Sequence, residues 1–200
     1  MKIMFDVTGI DHLLNDLKMI SGTNFTVFDK NMVNVAYSKY DTKFCNAVRC
    51  TKEGMIRCLK CDEMIHEKCI KKGQAVSQIC HAGLMDTIVP IMSDISSREI
   101  LGFITFGQYA VTDDFESVYE RVADIMPDKE LTKKYYDELL KPDEKYVEAI
   151  LRILDSVIKY TLIKDYINIS SDTLIQSVTD YISDNLSDDI SSDQICELFH

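Results

Sequence analysis

The chain reads as an α+β protein, built on a mainly antiparallel five-stranded sheet with helices inserted after the second strand and a long helix toward the C-terminus. Three observations carry this reading. Residues 25–29 and 33–37 are rich in β-formers and flank a Lys30-Asn31 turn, as a hairpin does. Residues 75–80, 84–92 and 100–109 form three further strand-like runs, the last two separated by a polar turn at 93–99. Between the two groups, residues 41–72 follow a helical pattern, and strands kept apart from helices in this way pack as α+β.

Each element has its own justification. In residues 6–22, Ile10, Leu13, Leu14, Leu17 and Ile20 share one helical face, and Ser21-Gly22-Thr23-Asn24 ends the helix. A short helix spans 42 to about 48. Thr51 is a good N-cap for a second helix, with Gly54 near its start and Lys71-Lys72-Gly73 at its end. Beyond Asp113 the chain turns helical. Residues 115–125 stop before Pro127, and residues 128–140 stop at Lys141-Pro142. Residues 143–166 contain neither Gly nor Pro and place Val147, Ile150, Leu151, Leu154, Val157, Ile158, Thr161 and Leu162 on one stripe. About six turns of such a helix either pack on the chain's own sheet or extend to a second subunit, and a homodimer through this helix is expected. Residues 174–186 form another amphipathic helix. A last helix opens at Ser191-Ser192-Asp193 and is cut off at His200, as in a piece of a longer protein. There is no internal repeat and no low-complexity tract.

Composition narrows the function. With 46% hydrophobic residues in 200, the chain has material for a sizeable core. A net charge of −11 argues against a surface devoted to nucleic acid. No run reaches the roughly 18 apolar residues of a membrane span, and Asp6 comes too early for the apolar core of a signal peptide. The expected location is the cytoplasm. There, seven cysteines, an odd number, point to thiols or metal ligands rather than disulfides.

Six of those cysteines fall between Cys45 and Cys80. Cys58 and Cys61 are three residues apart on a predicted helix, so they share a face and can reach one ion or one ligand. Cys45 lies on the preceding short helix, and Cys80 ends a strand that a helix–sheet layer brings alongside. Together they supply four thiolates, enough for a tetrahedral zinc site. His81 is the alternative fourth ligand, but in a strand it points away from Cys80, so joint ligation requires the strand to have ended or twisted. Two other readings stay open: small buried apolar side chains, or redox-active and ligand-reactive thiols. Cys50 and Cys69 are off this spacing and read as structural, and Cys196 reads as core.

Gly83, Gly102 and Gly107 allow close backbone approach, or mark sheet twist and a bulge. A pocket lined by His81, Gly83, Met85 and Phe106, with His81 or Gln108 offering a hydrogen bond, suits a small, weakly polar molecule. Catalytic patterns are sparse. There is no Gly-rich phosphate loop and no His-Glu-x-x-His, and neighbours Cys80 and His81 face apart on a strand. No enzyme activity is expected.

These same residues carry a resemblance. Phe44-Cys45, Gly54 with Cys58-Leu59-Lys60-Cys61-Asp62, Cys80-His81-Ala82-Gly83-Leu84, Val89-Pro90-Ile91, Leu101-Gly102 and Gly107-Gln108 resemble the PocR-type sensory domain in order and spacing, over roughly residues 6–165. The resemblance implies a variant of the PAS fold that senses small organic molecules such as simple hydrocarbon derivatives and diols. Such domains commonly precede an AraC-type helix-turn-helix or a histidine kinase. Its cysteines carry over onto Cys45, Cys58, Cys61 and Cys80 and its histidine onto His81, without deciding between metal ligands and pocket wall. Residues 178–185, 189–190 and 192–198 are similar to the first helix, and the start of the second, of an AraC-type DNA-binding domain. Recognition helices do not follow, so DNA binding is expected only of a longer parent protein.

The expected organisation is a ligand-sensing domain over 1–165, including the connecting helix 143–166, and the start of a DNA-binding domain over 167–200. The expected function is to bind a small-molecule effector between sheet and inserted helices and relay it through the long helix to transcription, with no membrane partner. The alternatives are a metal- or redox-sensing cysteine cluster and a dimerisation module with an unused pocket.

Overall fold

A computed structural model describes residues 2–38, 42–93, 99–160, 166–170, 178, 181–183, 185 and 191–198. The chain opens with β1 (Lys2–Phe5) and α1 (Val7–Ser21), the hairpin β2 (Asn24–Asp29) and β3 (Asn34–Tyr37), and two inserted helices, α2 (Lys43–Arg49) and α3 (Lys52–Lys72). Then come β4 (Val76–Ile79), β5 (Leu84–Met92), β6 (Ile100–Ala110), α4 (Phe115–Val122), α5 (Lys129–Asp137), α6 (Glu144–Val157), β7 (Ile167–Ser170) and α7 (Ser192–Leu198).

The expected five-stranded sheet is present, ordered β3-β2-β6-β5-β4, with every neighbouring pair antiparallel. Its two faces do different work. On β2, Phe25 and Val27 turn toward α1 and α6 and join Ile10, Leu14, Ile104, Phe106, Ile150 and Leu154 in the main core. The alternate residues Asn24, Thr26 and Phe28 turn toward α3, as the two-residue period of a strand requires. On that side Ile65 and Cys69 of α3 cover Val76, Ile88 and Phe103. A third cluster joins Phe44 and Val48 of α2 to Leu84, Val118, Val122 and Tyr136.

The inserted helices are set by local chemistry. The Thr51 hydroxyl accepts from Gly54 N at 3.0 Å and caps α3, and Gly73 ends it in the left-handed conformation at φ 61°. Gly54 also fixes where α2 crosses α3, because a Cβ there would sit 2.0 Å from the Val48 carbonyl oxygen. That close approach brings the helix carrying Cys45 against the one carrying Cys58 and Cys61.

Two expectations change. The long helix over 143–166 is not supported: α6 is 14 residues, about 21 Å, and residues 158–160 form a wider turn beyond it. Its stripe is used on the chain's own sheet, where Ile150, Leu154 and Ile158 are buried and Val147, Leu151 and Val157 pack against them. Thr161 and Leu162 lie outside the described residues. Second, β1 and β7 form a two-stranded antiparallel sheet that the sequence reading did not contain. At the expected boundary of 165–167, Tyr166 O accepts from Asp6 N at 2.8 Å and Ile167 is buried in the main core. Much of the helix expected over 174–186 lies outside the described residues, while α7 matches the last expected helix.

Candidate functional site

The sheet face turned toward α3 is incompletely covered. Between it and the helices lies a cavity of about 350 Å³. Phe28, Met32, Met55, Leu59 and Ile65 give it apolar walls, while Asn24, Thr26, Thr105, Gln108, Asp86, Asp62 and Arg49 give it polar groups. The strand register explains the polar floor. Asn24 pairs with Gly107, Gly107 with Asp86, and Thr26 with Thr105, so the polar side chains line up across β2, β6 and β5.

Gly107 is required where it stands. Its φ is 137°, and a Cβ there would meet Met85 O at 2.9 Å and Asp86 Oδ1 at 3.0 Å. The register then skips: Asp86 pairs with Gly107 and Met85 with Tyr109, which leaves Gln108 as the extra residue of a bulge. Gln108 thereby lines the cavity from a strand whose neighbouring residue Phe106 is buried on the opposite face.

Asp86 is the most perturbed of the cavity groups. Burial pushes its carboxyl up to about 7, and the nearby Asp62 charge adds to this, against the Thr87 amide that donates to Asp86 Oδ1 at 3.0 Å and the Arg49 guanidinium. Burial also raises Asp62, with Arg49 opposing it.

Behind the cavity, Cys45, Cys58, Cys61 and Cys80 line a second void of about 20 Å³, together with Arg49, Asp62, Asp86 and Gln108. All four are free thiols, Cys45 and Cys61 buried and Cys58 and Cys80 half-buried. Strand β4 ends at Ile79, and residues 80–83 form a turn, so the condition for bringing Cys80 and His81 to one place is met. His81 Nε2 is 3.3 Å from Cys58 Sγ, and the His81 backbone N–H donates to Cys61 Sγ at 3.2 Å. Burial pushes the Cys45 thiol up to about 12 and the Cys80 thiol up to about 11. Burial lowers His81, helped by the Arg57 charge. Among the described residues, no three His, Cys, Asp or Glu side chains already form a group that could hold a metal ion.

The expected site residues therefore divide. Gln108 lines the large cavity, and the four cysteines come together as the spacing expected. The remaining expected pocket residues stand elsewhere. His81 is at the cysteine cluster and not in the cavity wall. Gly83 faces α4, with Val118 and Arg121 side-chain atoms 3.2 Å from where a Cβ would be. Met85 and Phe106 belong to the core under α1 and α6, because strand alternation puts them on the other face. The sequence reading missed Asn24, Thr26, Thr105, Arg49, Asp62 and Asp86. A signal was present in Asn24 and Thr26 alternating with Phe25 and Val27, and in Asp86 standing alone inside the apolar run Leu84–Met92.

No helix among the described residues is long and apolar enough to cross a membrane. No curated protein matches the chain. A family model described as the sensory domain found in PocR matches residues 4–166, which takes in the whole five-stranded sheet, α3, the cavity and the cysteine cluster. The chain belongs to the family of PocR sensory domains.

Proposed function

We propose that the cavity between the sheet and α3 is the effector site of a sensor for a small organic molecule, a simple hydrocarbon derivative or diol-like compound. One observation carries the reading: a 350 Å³ cavity with an apolar helix side and a polar sheet floor, inside the region that matches the family. A volume at the lower end of small-molecule sites favours a compact ligand. Asn24, Thr26, Thr105 and Gln108 offer hydrogen bonds to hydroxyl groups, and Met55, Leu59 and Ile65 cover a short carbon chain. The sheet order, which becomes 2-1-5-4-3 when only its own five strands are numbered, supports a PAS-like architecture. The role is binding rather than catalysis.

An effector that favours one arrangement of α3 over the floor strands shifts the balance between two states by its difference in affinity for them. Its output passes through β6, which carries Thr105 on the cavity face and Ile104 and Phe106 on the face packed by α6. In a cytoplasmic transcriptional regulator of AraC type, that movement would be relayed to a DNA-binding domain. A homodimer would use the outer side of this region, where Ile153 and Tyr160 are exposed.

The test is calorimetric titration with a panel of two- to six-carbon alcohols, diols and short carboxylic acids, against wild type and the pair Asn24→Leu/Thr105→Val. Loss of one or two hydrogen bonds, each about 1 kcal/mol net, gives about five- to thirty-fold weaker binding of whichever compounds bind. A ligand whose affinity is unchanged by the pair rejects the cavity as the effector site.

A further inference from the structure

We propose that Cys45, Cys58, Cys61 and Cys80 bind one zinc ion as four thiolates, forming a clasp that joins α2, α3 and the β4–β5 turn behind the cavity. Three observations carry this independently of the effector. The first is convergence: sulfurs from three separate segments border one void of about 20 Å³, space for a single ion and too small for an organic ligand. Cys58 and Cys61 come from consecutive turns of α3, Cys45 from α2, and Cys80 from the turn that follows β4.

The second is that the turn carrying His81 reaches two of the four sulfurs with polar N–H groups. Burial raises the Cys45 and Cys58 thiols, and the Arg49 charge opposes this at both. The His81 backbone N–H donates to Cys61 Sγ at 3.2 Å, and His81 Nε2 stands 3.3 Å from Cys58 Sγ. Donors aimed at sulfur favour thiolate and orient it, which is the task of the shell around a metal's ligands. Cys69 is the internal contrast. It is fully buried in the apolar layer under α3, away from the void, and its Sγ acts as donor to the Gln74 carbonyl at 3.5 Å, as a structural thiol does.

The third is charge. Four thiolates and one divalent zinc leave a net −2; Arg49 stands at the edge of the same void to offset part of it, beside the Asp62 and Asp86 carboxyl groups, which burial drives toward their neutral forms. His81 Nε2, 3.3 Å from Cys58 Sγ, supports that ligand from outside. Loading is balanced as one Zn²⁺ taken up and four thiol protons released to solvent, with no oxidant or reductant involved. Among the described residues the thiols do not already stand as a metal-holding group, so loading requires the four sulfurs to close in on the void.

The experiment uses the full chain, purified under reducing conditions, stripped with a chelator and titrated with Co²⁺ and then Zn²⁺. The expected result is one Co²⁺ per chain, an intense near-ultraviolet sulfur-to-cobalt band, tetrahedral visible bands, and displacement of both by Zn²⁺. In the zinc-loaded protein, four thiols are protected from a thiol reagent until chelator is added. C69S and C196S retain the spectrum, while C45S and C80S lose it. Because C45S could fail to fold, protection in the wild type is the deciding readout. A six-coordinate cobalt spectrum, or all seven thiols reacting alike with and without zinc, overturns the proposal. Neither outcome bears on effector binding, which the calorimetric panel tests separately.

Discussion

Replacing Asp86 with Asn should stabilise the protein at neutral and alkaline pH, although it removes a polar group from the cavity. The Asp86 carboxyl is pushed up to about 7 from the ordinary 3.8, with burial the main cause and Asp62 a contributor. The folded protein therefore holds this proton more tightly than the unfolded chain does. With a raised folded pKa, the group's contribution to stability is fully present below about 4, declines as pH rises from about 4 to about 7, and is lost above that. At about 1.4 kcal/mol for each tenfold change in proton affinity, the whole span has a ceiling of about 4 kcal/mol. Access to the cavity and the opposing Arg49 charge reduce this, and about 1–2 kcal/mol is the working figure. Asn keeps an acceptor for the Thr87 amide now bound at 3.0 Å, so the backbone contact survives the change. The assay is urea unfolding of wild type and D86N at pH 4.5 and pH 8. The variant should be more stable by about 1–2 kcal/mol at pH 8, or roughly 2–8 °C in Tm for a domain of this size, and the gap should shrink by more than half at pH 4.5. A variant less stable at pH 8, or a difference that does not change with pH, would refute the reasoning.

Other predictions follow from the same geometry. His81→Ala should leave effector affinity within about twofold of wild type, since His81 is outside the cavity lining; a tenfold loss in calorimetry would return it to the site. Gly107→Ala should cost about 2 kcal/mol or more in denaturant unfolding, because its φ of 137° and the Met85 carbonyl 2.9 Å from the new Cβ both oppose a side chain. Leu154→Ala removes a fully buried side chain of α6 from the main core and should cost about 2–5 kcal/mol by the same method. A cost under about 0.5 kcal/mol would mean that α6 does not pack on the sheet as described.

Much of the fold was legible because the signals were local. Thr51 and Gly73 bracketed α3, Lys30-Asn31 marked the hairpin turn, and the apolar runs gave β5 and β6 nearly to the residue. What failed depended on partners distant in sequence. The pairing of β1 with β7 joins segments more than 160 residues apart, and neither is long enough to announce itself as a strand. The α6 stripe was visible, but its length was not, because the α-helical pattern gives way at Ile158 to a wider turn that no Gly or Pro marks.

The site divided along the same line. The cysteine cluster could be read because helical spacing placed Cys58 beside Cys61 and the fold class placed Cys45 and Cys80 nearby. The pocket could not, because strand alternation sets the face and the bulge at Gln108 changes it. Met85 and Phe106 look like pocket residues as neighbours of His81 and Gln108 in a list, yet they lie on the far side of the sheet.

The most direct test of the effector cavity is amide chemical-shift mapping of the labelled chain as one bound member of the alcohol, diol and acid panel is titrated in. The largest shifts should fall at Asn24, Thr26, Thr105, Gly107 and Gln108 and along α3 from Met55 to Ile65, saturating together with one affinity. Shifts concentrated at α1 and α6, or confined to residues 80–83 with the sheet floor silent, would contradict the central claim that this cavity is where the effector binds.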